Sequence, residues 1–358
     1  MATERSRKPA ARAKVETQRS AHPKADAAPT ADAQAVEQNE AVSTTSRVPV
    51  AIEPALARWF DSMQGRFSEP EHPDYSTGYR ELDQLVAGGL HAEDLIVIGG
   101  RPSSGKTPLA LGLSQHVSFK RRRGVAFFTP ESTADQVASR LVASLSGVEL
   151  SAVRSGRVMD DDWNAITSAV RLLKQAQIWI DDTPGLTPDM LRGKVLQLQK
   201  EKGDISLVVV DNLQQMRVPC LRSNRAAEVA EIARSLKEIA KEAKVTGVAT
   251  SHLVRPTERN YSNGYPALTD LRDSGAIEDV ADVVIMLHQR KAGSENTDVI
   301  VAKQKHGPSG SFQLRFIEAT SRMESYRSID EIATAKGLSD AERNALAGGH
   351  DQMRRGTQ

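Results

Sequence analysis

Short, continuous apolar runs alternate with helix-like segments along the chain from residue 95 onward. The apolar runs occupy residues 95–100, 125–129, 178–181, 207–211, 247–250, 283–287 and 299–302. A strand that is apolar at every position is buried on both faces, as in a parallel sheet that helices cover on both sides. The pattern therefore predicts an α/β fold built around a mostly parallel central sheet.

The spacing of polar residues predicts where several helices begin. Thr133 followed by Gln136 has the spacing of a capping box, and Thr187 followed by Pro188 indicates an N-cap before a first-turn proline. Residues 224–243 have the period of a long amphipathic helix. We expect its charged positions to face solvent, namely Glu228, Glu231, Arg234, Lys237 and Lys241.

The C-terminal side of the sheet has a different pattern. No helix-like segment separates the last apolar runs, and Gly307-Pro308-Ser309-Gly310 has the composition of a turn. Because this turn joins 298–305 to 311–317, we expect the sheet to end in an antiparallel hairpin.

The first 50 residues differ in composition from the rest. They contain no Phe, Trp, Tyr, Leu or Ile, so they cannot bury enough apolar surface to offset chain entropy, and we predict a disordered tail. Residues 1–24 hold seven Lys or Arg against two Glu. This basic arm either contacts phosphate backbones or serves as a solubilising tail.

An apolar stripe predicts a short helix after the tail. The stripe consists of Leu56, Trp59, Phe60, Met63 and Phe67. An isolated helix of this length is marginal in water, so the stripe must pack on its own domain or on a neighbouring subunit. We therefore divide the chain into a basic tail at 1–50, a linker helix at 51–70, a main domain at 71–325 and a partly helical tail at 326–358.

Composition excludes some classes of protein. Across 358 residues, 47 Lys and Arg nearly balance 46 Asp and Glu, so the bulk charge predicts no partner. The single cysteine, Cys220, excludes a disulfide framework or a cysteine-rich zinc site and fits a reducing compartment. No apolar run reaches the roughly 18 residues of a membrane span, and the N-terminus lacks a signal-peptide core. We expect a cytoplasmic protein without a membrane contact.

The most specific chemical signal directly follows the first apolar run. It reads Gly100-Arg101-Pro102-Ser103-Ser104-Gly105-Lys106-Thr107, which matches the phosphate-binding pattern G-x-x-x-x-G-K-[ST] at every position. A strand, a glycine loop and a helix N-terminus together form an anion site from backbone N–H groups. We expect Lys106 to reach the β- and γ-phosphates of a nucleotide such as ATP, and the Thr107 hydroxyl to ligate Mg²⁺.

Polar residues at the ends of other strands complete a candidate hydrolytic site. Asp211 ends the run 207–211, at the sheet edge where α/β proteins bind ligands. We predict that it supports the metal, although a strand-terminating Asp at a turn is the alternative. We predict that Glu131 activates the attacking water. The alternative is that it is only a carboxylate that stabilises the start of a helix. His252 would sense the γ-phosphate, or would be an ordinary surface histidine.

Two further groups of basic residues are candidates. The long polar loop 253–275 contains Arg255, Arg259 and Arg272 with interleaved tyrosines, which suits single-stranded nucleic acid or a substrate lid. Lys303 and Lys305 are either solvated edge lysines or cations that reach a nucleotide bound to the next subunit.

The order of motifs over residues 77–316 resembles the ATPase domain of DnaB-type replicative helicases, which are hexameric ring motors with a RecA-like fold. The stretches that carry the resemblance are Ser76-Thr77-Gly78-Tyr79-Arg80-Glu81-Leu82-Asp83, the loop 101–107, Asp160-Asp161-Asp162-Trp163, Ile180-Asp181-Asp182, Gly185-Leu186-Thr187-Pro188, Asp211-Asn212-Leu213-Gln214, Met216-Arg217-Val218-Pro219, Asn224-Arg225, Glu228-Val229-Ala230-Glu231-Ile232, Asp270-Leu271-Arg272-Asp273-Ser274-Gly275 and Lys303-Gln304.

The resemblance implies roles for these residues. It assigns Glu131 to the catalytic glutamate position and Asp211 to the Mg²⁺-linked aspartate. Arg272, Asp273 and Gly275 match the loop that follows the single-strand backbone in the central channel. From the composition of loop 253–275, we predict Arg255 as a further DNA contact. The linker helix resembles the one that docks on the adjacent subunit. Implied partners are single-stranded DNA and further copies of the chain, with a helicase loader as another candidate.

Three departures from the family pattern affect these expectations. His252 stands where the family has a phosphate-sensing glutamine, and Lys305 stands where it has a trans-acting arginine finger. Arginine fingers contribute about 10³–10⁵ in rate, and lysine lacks their planar two-pronged donor. Residues 1–50 stand in place of the family's N-terminal helical domain, so we expect no primase contact by that route.

The sequence therefore predicts a RecA-like ATP-dependent DNA helicase, ring-forming, with hydrolysis at subunit interfaces. The alternative is a DnaB-derived ATP- and DNA-binding assembly factor of a plasmid, phage or mobile element, with little unwinding. A recombination or clock-type RecA-like ATPase is disfavoured by the Asp-Leu-Arg-Asp-Ser-Gly stretch at 270–275.

Overall fold

The computed structural model describes residues 49, 51–68, 76–253, 265–271, 274–290 and 293–325. It divides into two units, residues 1–68 and 69–358. The predicted tails at 1–50 and 326–358 therefore lie outside the described residues, apart from Pro49. The described part of the first unit is essentially one helix, α1 at Ile52–Ser68. A helix is therefore present where the apolar stripe predicts one, and on it Leu56, Trp59, Phe60 and Met63 are exposed.

The described part of the second unit contains eight further α-helices and one sheet of nine strands. The helices are α2 (Arg80–Leu85), α3 (Lys106–Phe119), α4 (Ala134–Ser146), α5 (Leu150–Ser155), α6 (Asp162–Leu173), α7 (Pro188–Lys202), α8 (Arg225–Ala243) and α9 (Ser274–Val280). The strands are β1 (Leu95–Gly100), β2 (Gly124–Phe128), β3 (Ile178–Asp181), β4 (Ile205–Val210), β5 (Thr246–His252), β6 (Val283–His288), β7 (Asn296–Gln304), β8 (Gly310–Ile317) and β9 (Arg322–Ser325).

The sheet has the strand order β3-β2-β4-β5-β1-β6-β7-β8-β9. The first six strands in this order run parallel, whereas β7, β8 and β9 pair antiparallel. The predicted hairpin is therefore present as β7–β8. Strand β9 was not predicted, because its four residues Arg322–Ser325 carry no continuous apolar run.

Helices cover both faces of the sheet, as the continuous apolar strands predict. Alternate residues of β1 belong to different cores: Ile96 and Ile98 pack with Leu109 and Leu113 of α3, whereas Val97 packs on the opposite side with residues of α7 and α8. Leu109 and Leu113 have no exposed surface, and burying one such side chain stabilises the fold by about 1.5–3 kcal/mol. This packing holds the β1–α3 junction rigidly.

Predicted helix starts are confirmed in detail. The Thr133 hydroxyl accepts a hydrogen bond from the Gln136 backbone N–H at 3.3 Å, and the Thr187 hydroxyl accepts one from the Met190 N–H at 3.3 Å. Asn224 caps α8 in the same way. Each cap is worth about 1 kcal/mol.

The prediction for the charged face of α8 is wrong at two positions. Glu228 is 3% exposed, and its carboxylate accepts hydrogen bonds from the Val218 N–H and from Arg225. Lys237 has a side chain only 15% exposed, and it pairs with Asp282. Glu228 is buried and Lys237 is partly buried because loops on either side of α8 supply partners, and helical periodicity does not reveal such partners.

Candidate active site

The glycine loop Gly100–Thr107 joins the carboxyl end of β1 to the first turn of α3. Ser103 and Gly105 have positive φ angles of 61° and 92°, which turn the loop back over the strand. A side chain at Gly100 would collide with the Ser104 hydroxyl, and one at Gly105 would collide with Met323. The positive φ of Gly105 favours glycine there, whereas a side chain at Gly100 would have to displace the Ser104 hydroxyl. The N–H groups of the first helical turn have no acceptor within the helix and remain available to an anion.

Lys106 lies over this loop. Its side chain is largely buried, and its ammonium donates hydrogen bonds to the carbonyl oxygens of Gly100 at 2.9 Å and Arg101 at 2.7 Å. Burial lowers the pKa of Lys106 to about 8, and the nearby carboxylates of Asp211 and Glu131 only partly oppose this effect. The cation is thus held next to the loop, where a phosphate would meet it.

Three oxygen-bearing side chains converge beside the loop. The Thr107 hydroxyl donates to one carboxylate oxygen of Asp211 at 2.6 Å, and the Thr250 hydroxyl donates to the other at 2.5 Å. Asp211 directly follows β4, and Thr250 lies in β5, the neighbouring strand. Thr107 and Asp211, predicted as the metal-binding pair, are therefore in contact. Thr250 was missed, and its polar side chain within the otherwise apolar β5 run is the signal that could have revealed it.

Glu131 and His252 meet through a residue that the sequence analysis did not single out. The Asn212 side-chain amide donates to a carboxylate oxygen of Glu131, and its nitrogen lies 3.0 Å from Nε2 of His252. Asn212 is 2% exposed, and its amide oxygen accepts no hydrogen bond from any described residue. An unsatisfied buried acceptor costs about 1–3 kcal/mol. The sequence signals for Asn212 were its place directly after Asp211 and its membership in the stretch Asp211-Asn212-Leu213-Gln214.

The backbone of His252 is held by a second missed residue. The Gln214 side chain accepts a hydrogen bond from the His252 N–H at 3.2 Å and donates one to the Ser251 hydroxyl at 2.8 Å. The Gln214 carbonyl in turn accepts from Arg225 at 2.6 Å. The end of β5 is therefore tied to the segment that follows β4.

Lys303 and Lys305 do not join the glycine loop. Gln304 pairs with Val283 at the start of β6, so both lysines lie near the amino ends of the parallel strands, at the opposite edge of the sheet. Lys305 forms an ion pair with Asp282 at 2.8 Å. Lys303 donates to the Glu278 carbonyl, and burial together with the nearby Lys305 lowers its pKa.

The Asp282 carboxylate is the centre of that opposite edge. It accepts hydrogen bonds from the Leu95 N–H at 2.8 Å, from Lys305 and from Lys237, and its side chain is 5% exposed. Burial alone would raise the pKa of Asp282, but these hydrogen bonds outweigh it and leave the pKa lowered.

Most of the predicted DNA contacts fall on residues that the structure does not describe. Arg255, Arg272 and Asp273 lie outside the described residues, and Gly275 is exposed in the first turn of α9. The described flanks of the loop meet in a bridge between Leu253 and Leu271. Within the described part of the chain, no group of three or more His, Cys, Asp or Glu forms a metal site, and none of the helices is long and apolar enough to span a membrane.

The chain is similar in sequence to curated replicative helicases. The chain is 36% identical over 287 residues to the replicative DNA helicase DnaB of Buchnera aphidicola subsp. Acyrthosiphon pisum (strain APS), covering 78% of this chain and 62% of that relative. It is 38% identical over 257 residues to the DnaB of Haemophilus influenzae, covering 70% of this chain and 54% of the relative. The chain thus spans little more than half the length of these curated relatives.

Solved structures agree on the fold. A solved ATPase domain matches with a TM-score of 0.71 and 24% identity, covering 78% of this chain and 100% of the other. A DnaB-like replicative helicase, solved in a study of its interactions with primase, matches with a TM-score of 0.69 and 25% identity over 78% of this chain and 68% of the other. The expected α/β RecA-like architecture, mostly parallel with a C-terminal antiparallel hairpin, is confirmed.

The family model described as the DnaB-like helicase C terminal domain matches residues 75–325. That range contains the glycine loop, Glu131, Asp211, Asn212 and His252. By its sequence and by its fold, this chain belongs to the family of DnaB-like helicase C-terminal domains.

Proposed function

We propose that this chain is the motor of a replicative DNA helicase, which hydrolyses ATP to move along single-stranded DNA and unwind duplex. The observation that carries the proposal is the convergence of Lys106, the Thr107–Asp211 pair and Glu131 at the carboxyl edge of one sheet. A phosphate loop, a hydroxyl–carboxylate pair and a second carboxylate are the parts that phosphoryl transfer to water requires. Membership in the family supports the same conclusion.

Lys106, Glu131 and His252 have separate roles in the proposed reaction. The first-turn N–H groups of α3 and the Lys106 ammonium bind the β- and γ-phosphates and stabilise the charge that develops on them. Glu131 orients and deprotonates the attacking water. His252 hydrogen-bonds the γ-phosphate and responds to its release.

Thr107 and Asp211 are suited to hold Mg²⁺. The cation prefers oxygen ligands and usually takes one or two protein groups together with phosphate oxygens, and a hydroxyl in contact with a carboxylate beside the loop matches that donor set. When bound, Mg²⁺ neutralises charge on the phosphate oxygens. Thr250 fixes the second oxygen of Asp211, and so it orients the carboxylate.

The position of Lys303 and Lys305 supports the assembly of several copies of the chain. Lys303 and Lys305 are at the sheet edge opposite the glycine loop, so they can serve a nucleotide only on a neighbouring subunit. We propose a homo-oligomeric ring, a hexamer as in the family, with Arg255, Arg272, Asp273 and Gly275 facing single-stranded DNA. The exposed apolar stripe on α1 supports docking on a neighbour.

Steady-state ATP hydrolysis with and without single-stranded DNA, together with unwinding of a forked duplex, tests the proposal. We expect DNA-stimulated turnover that the Glu131→Gln variant abolishes while it still binds ATP, since glutamine fills the same space but cannot accept the proton. Undiminished hydrolysis by that variant would refute the role of Glu131. Tight binding of ATP and DNA by the unmodified chain, with negligible turnover and no unwinding, would indicate an assembly factor instead.

A further inference from the structure

Asn212 occupies a position between the two groups that the proposed mechanism uses beside the γ-phosphate. Its side-chain nitrogen is shared between the Glu131 carboxylate and Nε2 of His252, which come from segments 81 and 40 residues away in sequence. Because Asn212 is almost fully buried, neither contact is a chance encounter of exposed side chains.

Electrostatics determines which way this amide faces. A carboxylate can only accept hydrogen bonds, so the NH₂ group of Asn212 must point toward Glu131. With the opposite orientation, the amide oxygen would face the negative charge of Glu131. The observed orientation leaves the amide oxygen without a donor among the described residues. The amide oxygen of Asn212 therefore stays unpaired among the described residues, while its NH₂ group faces both the Glu131 carboxylate and Nε2 of His252.

Asn212 bridges His252 and Glu131, and of these two residues only His252 is held firmly by the fold. The His252 backbone is hydrogen-bonded to Gln214, and the side chain of Gln214 also binds Ser251, so the end of β5 is fixed. Glu131 is exposed and lies in the loop between β2 and α4. The restraint therefore acts from His252 through Asn212 onto Glu131.

We propose that Asn212 is a positioning residue that holds the Glu131 carboxylate at the water-activating position by tying it to His252. This inference rests on the proposed function, since it assumes that Glu131 activates water and that His252 senses the γ-phosphate. Because the Asn212 amide contacts both residues, the position of the Glu131 carboxylate depends on the position of the His252 ring.

The kinetics of Asn212→Ala test the role. We expect kcat for DNA-stimulated ATP hydrolysis to fall roughly 10- to 100-fold, because a base displaced by about 1 Å loses that much rate. The KM for ATP should change by less than about threefold, because the hydrogen bonds of the Asn212 side chain to described residues go to Glu131 and His252 and not to the glycine loop. Asn164→Ala, at an exposed position of α6, is the matched control and should retain normal turnover.

Thermal unfolding separates positioning from a structural role. Removing Asn212 also removes the unpaired buried oxygen, so we expect the melting temperature of Asn212→Ala to equal or exceed that of the unmodified chain. A clear drop in melting temperature together with the loss of kcat would show that Asn212 is structural and would overturn the proposal.

A double-mutant cycle with His252→Ala tests the bridge. If Asn212 acts by linking Glu131 to His252, the double variant should lose no more kcat than the more impaired single variant. Multiplicative losses would overturn the link. Undiminished turnover by the Glu131→Gln variant would refute the role of Glu131 in the proposed function and, with it, this inference. Loss of turnover in Glu131→Gln with normal kcat in Asn212→Ala would overturn the inference alone.

Discussion

Removing the Asp282 carboxylate should destabilise this chain more than removing almost any other acidic side chain. Asp282 precedes β6 and accepts hydrogen bonds from the Leu95 N–H, Lys237 and Lys305, with its side chain 5% exposed. The Asp282→Ala variant leaves the Leu95 N–H without its acceptor. Lys237, a partly buried cation, keeps the Glu93 carbonyl at 2.7 Å, but its nearest remaining carboxylate oxygen, on Asp94, is 4.0 Å away.

The expected size of the effect follows from this burial. Removing one partner of a buried ion pair costs about 3–5 kcal/mol, because the other charge stays buried without compensation. The matched control is Asp204→Ala, since Asp204 pairs with Arg123 where both side chains are about half exposed. Exposed pairs contribute about 0–1 kcal/mol, so the two aspartates should differ by about 2–5 kcal/mol.

The stability that the Asp282 carboxylate contributes should also decrease as the pH falls. The hydrogen bonds of Asp282 outweigh its burial and lower its pKa in the folded chain. Its contribution is therefore fully present above the unfolded-state pKa of about 4 and is lost as pH falls through the folded-state pKa. The gap in stability between the unmodified chain and Asp282→Asn should narrow below about pH 4.

Urea unfolding followed by circular dichroism measures both quantities, at about pH 7.5 and in a series down to about pH 3. The reasoning would be refuted if Asp282→Ala cost no more free energy of unfolding than Asp204→Ala. It would also be refuted if the gap between the unmodified chain and Asp282→Asn widened as the pH fell.

Two further predictions concern the basic residues of the proposed motor. Lys305→Arg should raise DNA-stimulated ATP turnover, because a guanidinium offers two parallel donors to a neighbour's phosphate; an unchanged or lower rate in a steady-state assay would show that residue 305 is not the trans-acting finger. ATP affinity should weaken as pH rises above about 8, the pKa of Lys106, because bound phosphates favour the protonated amine. Titration of a fluorescent ATP analogue from about pH 7 to about pH 9.5 measures this, and a flat profile would contradict it.

The site was predictable from the sequence where a local pattern sufficed. The glycine loop, the acid that ends the 207–211 run and the threonine caps of α4 and α7 each depend on neighbours within a few residues. Such short-range geometry is set by backbone conformation and strand direction, which local sequence encodes.

Contacts between segments that are distant in the chain could not be predicted from the sequence. Asn212 carried no signal that it would join Glu131 to His252. Glu228 and Lys237 were assigned to the solvent-facing side of α8, although Glu228 is buried and Lys237 is partly buried. Helical periodicity places a residue on a face, but it does not show which loop will cover that face.

Local sequence by itself determined the strands other than β9, the starts of α4, α7 and α8, and the phosphate-binding loop, because each arises from interactions between residues close in the chain. Only the tertiary structure decided that β4, β5 and β2 lie side by side and bring Asp211, Asn212, His252 and Glu131 to one edge. It also decided that Lys303 and Lys305 lie at the other edge. Strand order and partner choice depend on long-range packing, in which many segments compete for the same buried faces.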